Sequence, residues 1–101
     1  MLASAWSHSG YYRGIAIQKP DHDAVFDPSW RSIVIETEDG QSLEAPVTES
    51  FWRNCSELRY GQIGRWLEAN GLARRANGNP PCFDLCQIGK GNRFRLTVIS
   101  R

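Results

Sequence analysis

Few residues of this chain are of the types that do chemistry, and their closest grouping is the tripeptide Asp21-His22-Asp23. A histidine between two carboxylates can bind a metal ion, or can have its pKa raised by the adjacent negative charges. Two prolines and three aspartates interrupt any regular period in residues 19–28, so we predict a loop there. A solvated acidic turn is the commoner explanation of such a cluster, and we expect no bound metal.

The three cysteines form no recognisable metal-binding or disulfide pattern. Cys82 and Cys86 lie four residues apart in a segment with strand periodicity, where four residues span about 13 Å. That distance is too long for two ligands of one tetrahedral zinc ion, and also for a disulfide bond. Cys55 and His8 complete no ligand set, so we predict structural thiols, no metal and no cofactor.

Motifs of known catalytic sites are missing from the sequence. It contains no G-x-S-x-G, no phosphate-binding loop, no dinucleotide-binding fingerprint and no H-E-x-x-H. Because it has two histidines and no recognisable catalytic pairing, we predict that the chain is not an enzyme.

Charge is distributed unevenly along the chain, although the net charge is only +1. Residues 1–50 hold three basic and eight acidic residues, whereas residues 51–101 hold nine basic and three acidic ones. Such asymmetry is typical of a basic face for nucleic acid, of head-to-tail self-association, or of an acidic half that shields a basic one. It is equally compatible with a fold that interleaves the halves and leaves an ordinary solvated surface.

The arginines of the second half are the strongest functional signal. Guanidinium groups grip phosphates and contact guanine edges, and aromatic rings such as Trp52, Tyr60 and Trp66 stack on bases. The alternative is that the tryptophans are core and the arginines ordinary surface residues. We predict a small nucleic-acid-binding domain, with DNA favoured over RNA, that uses Arg53, Arg59, Arg65, Arg74, Arg75, Lys90, Arg93 and Arg95.

The two arginines in the last strand-like segment give this prediction a direct test. Replacing both Arg93 and Arg95 by alanine is expected to abolish retention on duplex DNA at moderate salt. A surface with one continuous positive face would favour nucleic acid, whereas interleaved signs would favour a protein partner.

The segment 48–72 must position several of these arginines, and it alone has helical periodicity. Apolar residues recur at i, i+4 and i+7 from Phe51, and at i, i+3 and i+4 from Ile63. The two apolar stripes are out of phase, so we predict two helices, near residues 49–57 and 61–70.

Glycines mark the end and the middle of the second predicted helix. Gly71 suits a left-handed terminal residue, after which Leu72 can fold back on Leu67 in a Schellman motif. Gly64 lies inside the helix and marks either a close approach of another backbone or a simple loss of helix propensity.

Strand-like segments flank the helices on both sides. Residues 11–18 alternate as a strand does, with Gly14 as a candidate bulge. A hairpin with a three-residue loop at 38–40 follows, and a second hairpin turns at 89–92. Their expected cross-strand pairs are Ile35 with Leu43, Ile33 with Ala45, Phe83 with Val98, Leu85 with Leu96, and Gln87 with Phe94.

Together these elements predict an α+β fold in the order β-β-β-α-α-β-β, an antiparallel sheet of about five strands with a short two-helix unit packed on it. The order helix, turn, helix, hairpin in residues 49–99 resembles a winged-helix domain. That resemblance implies that the second helix enters the major groove and the hairpin contacts the DNA backbone. The same elements are equally compatible with a small barrel-like DNA-binding domain.

At 101 residues the chain is predicted to be a single domain, residues 1–101, with residues 1–10 as a flexible arm. No apolar run approaches the length of a membrane span and no signal peptide is evident, so a cytoplasmic location is expected. The alternative function is a protein-protein interaction module, or a small regulatory or inhibitor protein with opposed acidic and basic faces. Such a module would bind an acidic protein surface, or a second copy of itself as a homodimer.

Overall fold

A computed structural model describes residues 1–8, 11–53, 57–72 and 80–100, and within them only the backbone of His8, Arg59 and Ser100. The fold is α+β, as predicted. The described residues form seven strands and three helices: β1 (Leu2–His8), β2 (Tyr11–Ile17), α1 (Lys19–Val25), β3 (Ser32–Glu36), β4 (Ser42–Pro46), α2 (Glu49–Arg53), β5 (Glu57–Arg59), α3 (Gly61–Ala69), β6 (Cys82–Gln87) and β7 (Arg93–Ser100).

All seven strands belong to one curled sheet, where about five were predicted. Its order is β4-β3-β7-β6-β1-β2-β5, and every pairing is antiparallel except that of β3 with β7. The sheet curls far enough for its edge strands β4 and β5 to contact each other, and α3 contacts both β2 and β4. The curled sheet therefore encloses the core, which large residues such as Ile15, Ile35, Phe83 and Phe94 fill with no exposed surface.

The first residues of the chain form a central strand. Residues 1–10 were predicted to be a flexible arm, yet β1 lies between β6 and β2. Ala3 pairs with Phe83 on one side and with Ile17 on the other. The core-facing residues of β1 are Ala3 and Ala5, both buried. Because these side chains are small, the segment lacks the alternation of large apolar residues that identifies a strand.

Residues 19–25, predicted to be part of a loop, form α1. Pro20 lies in the first turn, where a helix needs no amide hydrogen, so it does not interrupt the helix. The helix is held by tertiary contacts. His22 is buried and its ring lies against those of Phe51 and Trp52, with centroids 4.5 and 4.8 Å apart.

Both predicted hairpins form in the predicted register. Ile35 pairs with Leu43, and Gly40 adopts the left-handed conformation with φ 85° in the three-residue loop. The second hairpin closes through the bond from the Ile88 amide to the Arg93 carbonyl. Its pairs are also as predicted: Phe83 with Val98, Leu85 with Leu96, and Gln87 with Phe94.

The second predicted helix is confirmed, but the first is shorter than predicted. α2 covers residues 49–53, and residue 57 already belongs to β5. α3 ends as expected, because Gly71 has φ 70° and the Leu72 amide donates to the Leu67 carbonyl at 2.8 Å.

The winged-helix layout is not confirmed. β5 separates α2 from α3 and pairs with β2. The β6–β7 hairpin is not a projecting wing, because β6 pairs with β1 and β7 pairs with β3 in the middle of the sheet. Among the described residues, no helix has both the length and the apolar character to cross a membrane.

Candidate nucleic-acid interface

Five of the eight predicted binding residues have side chains that the structure describes. Arg74 and Arg75 lie outside the described residues, and of Arg59 only the backbone is described. The others lie on four separate elements: Arg53 on α2, Arg65 on α3, Lys90 in the β6–β7 turn, and Arg93 and Arg95 on β7.

Two of these arginines are bound to carboxylates. Nε and Nη2 of Arg93 lie 3.1 and 2.9 Å from Oε2 of Glu36. Nη2 of Arg53 lies 2.6 Å from Oε1 of Glu49, one helical turn away. Both pairs are largely exposed, so each stabilises the fold by about 0–1 kcal/mol. Each pair also opposes phosphate binding by up to the same amount, because a paired guanidinium must lose its carboxylate before it can hold a phosphate.

Acidic residues from the first half of the chain line the β3 side of β7. Glu36 faces Arg95 across the parallel β3–β7 pairing, in addition to binding Arg93. A carboxylate oxygen of Glu38 accepts a hydrogen bond from the Val98 amide, where β7 extends beyond the end of β3. Positive and negative charges therefore alternate on this part of the sheet, which by the criterion given above favours a protein partner over nucleic acid here.

A different group of arginines lies where β2, β5 and α3 meet, and we refer to Arg13, Arg59 and Arg65 as the basic corner. Arg59 is opposite Gly14 in the β2–β5 pairing, which places its backbone beside Arg13. A β-carbon built on Gly64, the residue before Arg65, would lie 3.6 Å from the Arg13 α-carbon. The three residues are thus brought together from distant parts of the sequence.

The local geometry of β2 allows Arg13 to lie close to Arg59 and to Gly64. The β1–β2 register shifts so that Arg13 is an extra residue between the pairs Trp6–Gly14 and Ser7–Tyr12. Tyr12 faces the core and is buried, whereas Arg13 is exposed. A bulge of this kind re-aims the side chain at the extra position.

The side chains of Arg13 and Arg65 are exposed, and neither forms an ion pair with another described residue. Glu57 lies on β5 opposite Ala16, two residues along from the corner. The corner therefore presents guanidinium groups to solvent that are available to an anionic ligand. The sequence prediction omitted Arg13 because it lies in the acidic half of the chain.

The Asp21-His22-Asp23 cluster is structural. Nδ1 of the His22 ring lies 2.8 Å from Oδ1 of Asp23, and Nε2 lies 2.8 Å from the carbonyl oxygen of Phe51. A carbonyl oxygen only accepts, so Nε2 carries a hydrogen and donates it. With both nitrogens engaged and the ring 2% exposed, neither is accessible to a metal or a substrate.

The hydrogen bond from His22, with that from Lys19, holds the pKa of Asp23 below its usual value. Elsewhere among the described residues, no group of three or more histidines, cysteines and acidic residues is arranged to hold a metal ion.

Cys82 and Cys86 are free thiols on β6, and Cys55 lies outside the described residues.

Cys82 lines a shallow depression of about 170 Å³ on the sheet, together with Leu2, Ala3, Ser4, Ala16 and Gln18. Small side chains form most of this depression, and none of its lining residues is charged.

Comparison with known proteins assigns the chain to no class. No protein-family model, no curated protein and no solved structure matches it. Function must therefore be inferred from charge, exposure and geometry, and the basic corner is the feature in which all three point to one kind of ligand.

Proposed function

We propose that this protein binds nucleic acid through the basic corner. The observation that carries the proposal is that Arg13 and Arg65 are exposed on two elements that pack together, with Gly64 against Arg13, and that neither forms an ion pair with another described residue. A guanidinium presents a planar fork of donors that matches two phosphate oxygens, so a cluster of them favours a polyanion. The proposed role is binding, which needs only the charge and the donor geometry of these side chains.

The final hairpin is the weaker candidate for the same role. Arg93 would have to exchange Glu36 for a phosphate, and Glu36 also faces Arg95. A phosphate approaching β7 would meet these carboxylates at close range, where like charges repel. Glu57 and Glu68 lie near the basic corner, but no carboxylate of the described residues forms an ion pair with Arg13 or Arg65, which is why we place the interface there.

The test is fluorescence anisotropy with labelled oligonucleotides, single-stranded and duplex, titrated with wild type and variants. We expect Arg13→Gln with Arg65→Gln to weaken binding at least about tenfold at low salt. We also expect the double variant to lower the slope of log K against log salt by about 2 for duplex, because each lost phosphate contact removes about 0.9.

The matched control is Arg53→Gln with Arg93→Gln, which removes the same charge from arginines that are already paired. It should change the affinity less than about threefold, because neither guanidinium is free to bind phosphate. The proposal is overturned if wild type binds none of the probes at low salt, or if the control weakens binding as much as the corner variant does.

A protein-interaction role is the second candidate, and exposed apolar residues favour it. Leu2 and Ile99 are 49% and 58% exposed on β1 and β7, and Leu2 lines the shallow depression. Such residues are typical of contact surfaces when they are contiguous. Self-association through them would make the mass measured by light scattering rise with concentration and persist at high salt, unlike binding to phosphates.

A further inference from the structure

An exposed aromatic residue lies next to the basic corner. Tyr11 is 46% exposed, although tyrosine has a large apolar ring. Tyr11 and Arg13 flank the buried Tyr12 on β2, and both are exposed. This half-exposed ring has no role in the core, where Tyr12 already fills the adjacent position.

A second aromatic ring lies on the neighbouring strand. Trp6 pairs with Gly14, and an edge carbon of its ring would lie 3.4 Å from a β-carbon built on that glycine. The Trp6 ring therefore lies beside Gly14, and it is partly exposed. Tyr11 pairs with His8, two residues further along β1. The outer side of this strand pair therefore carries two rings next to the basic corner.

α3 is poorly suited to enter the major groove of a duplex. Ile63, Trp66 and Leu67 are buried, and the indole nitrogen of Trp66 donates to Asp39 at 3.0 Å. The exposed side of the helix carries Glu68 three residues after Arg65, so the two are neighbours on the helix surface. A groove places phosphates on both sides of an inserted helix, and Glu68 would repel those nearest it.

From this placement, and resting on the function proposed above, we propose that the basic corner takes single-stranded nucleic acid. Arg13 and Arg65 hold phosphates, and an unpaired base stacks on the ring of Tyr11. Stacking needs a base that is free of its partner strand, since a paired base shows only its edges in a groove. Stacking on an aromatic side chain tolerates any base, so we expect weak sequence preference.

The experiment compares Tyr11→Ala with Tyr11→Phe on a labelled oligonucleotide and on the duplex of the same sequence, in DNA and in RNA. Tyr11→Ala should weaken single-strand binding about 5- to 150-fold, the range measured for loss of one base-stacking ring. Tyr11→Phe should retain affinity within about twofold, because the ring face is kept. Ile99→Ala, which trims another exposed apolar residue, is the control and should have no effect.

The possible outcomes separate this inference from the proposed function. If the arginine variant weakens binding but Tyr11→Ala does not, or if wild type prefers the duplex, the single-strand inference is overturned and nucleic-acid binding stands. If wild type binds neither form, both are overturned. Loss of single-strand affinity in Tyr11→Ala, with circular dichroism and the unfolding midpoint unchanged, supports the inference.

Discussion

Two glycines determine how closely other elements approach β2. A β-carbon on Gly14 would lie 2.5 Å from the backbone oxygen of Leu58, a distance that real β-carbons do not reach. A β-carbon on Gly64 would lie 3.6 Å or more from Arg13, which is ordinary van der Waals contact. The first glycine is required by the β2–β5 pairing, whereas the second merely permits close packing of α3.

This difference predicts opposite effects of the same substitution. Gly14→Ala should destabilise the protein by about 1–3 kcal/mol, because the methyl group forces β5 away from β2. Gly64→Ala should stabilise it by up to about 1 kcal/mol, because alanine is the better helix former and the methyl group fits. Urea unfolding followed by circular dichroism measures both. A destabilised Gly64→Ala would show that α3 approaches Arg13 more closely than described.

At the scale of elements, α3 is attached to the β3–β4 turn through one polar contact. The indole nitrogen of Trp66 donates to Asp39, which also accepts from the Thr37 hydroxyl. These hydrogen bonds, with Thr37 the largest cause, hold the pKa of Asp39 below its ordinary 3.8. A carboxylate with a lowered pKa stabilises the folded state above its unfolded pKa, and that contribution is lost as the pH falls through the folded value.

Trp66→Phe should therefore destabilise the protein more at neutral pH than in acid. It removes the indole donor, and the loss matters only while Asp39 is ionised, so the difference from wild type should shrink below about pH 4. Urea midpoints measured between neutral and acid pH test this. Trp30→Phe is the control, because the Trp30 ring packs on Phe26 and Phe94. The stability that this substitution removes should be independent of pH. Parallel pH profiles for the two variants would contradict the conclusion that Trp66 stabilises the fold through ionised Asp39.

At the scale of the whole molecule, the fold converts a charge split along the sequence into a mixed surface. Glu36 from the acidic half binds Arg93 from the basic half, while Arg13 from the acidic half joins Arg59 and Arg65. Three strand spacings, about 14 Å along the sheet, separate β7 from β2. That separation exceeds the Debye length of about 8 Å at physiological salt, so the two regions act independently.

The mixed surface predicts that removing Glu36 does not create a better binding site. Glu36→Gln frees Arg93, and Glu44→Gln removes the same charge from a residue bonded to Ser32 rather than to an arginine. If the basic corner is the interface, both variants should raise affinity by the same small factor, less than about twofold at physiological salt. A larger gain for Glu36→Gln, measured by anisotropy, would place β7 in the interface instead.

The features that could be predicted without the structure are local. The loop containing Gly40, the pairing of Ile35 with Leu43 and the ending of α3 at Gly71 depend on residues a few positions apart. Turn chemistry and hydrophobic period act over that range, so they specify these features before any tertiary contact forms.

Only the tertiary structure decided where distant segments meet. β1 lies at the centre of the sheet through Ala3 and Ala5, whose small side chains carry little periodic signal. α1 forms although two prolines and three aspartates surround it, because His22 is buried against α2. The pairing of Arg93 with Glu36 was likewise set by strand order, since a guanidinium pairs with whichever carboxylate the fold brings within reach. That is a property of the assembled sheet, and no local pattern contains it.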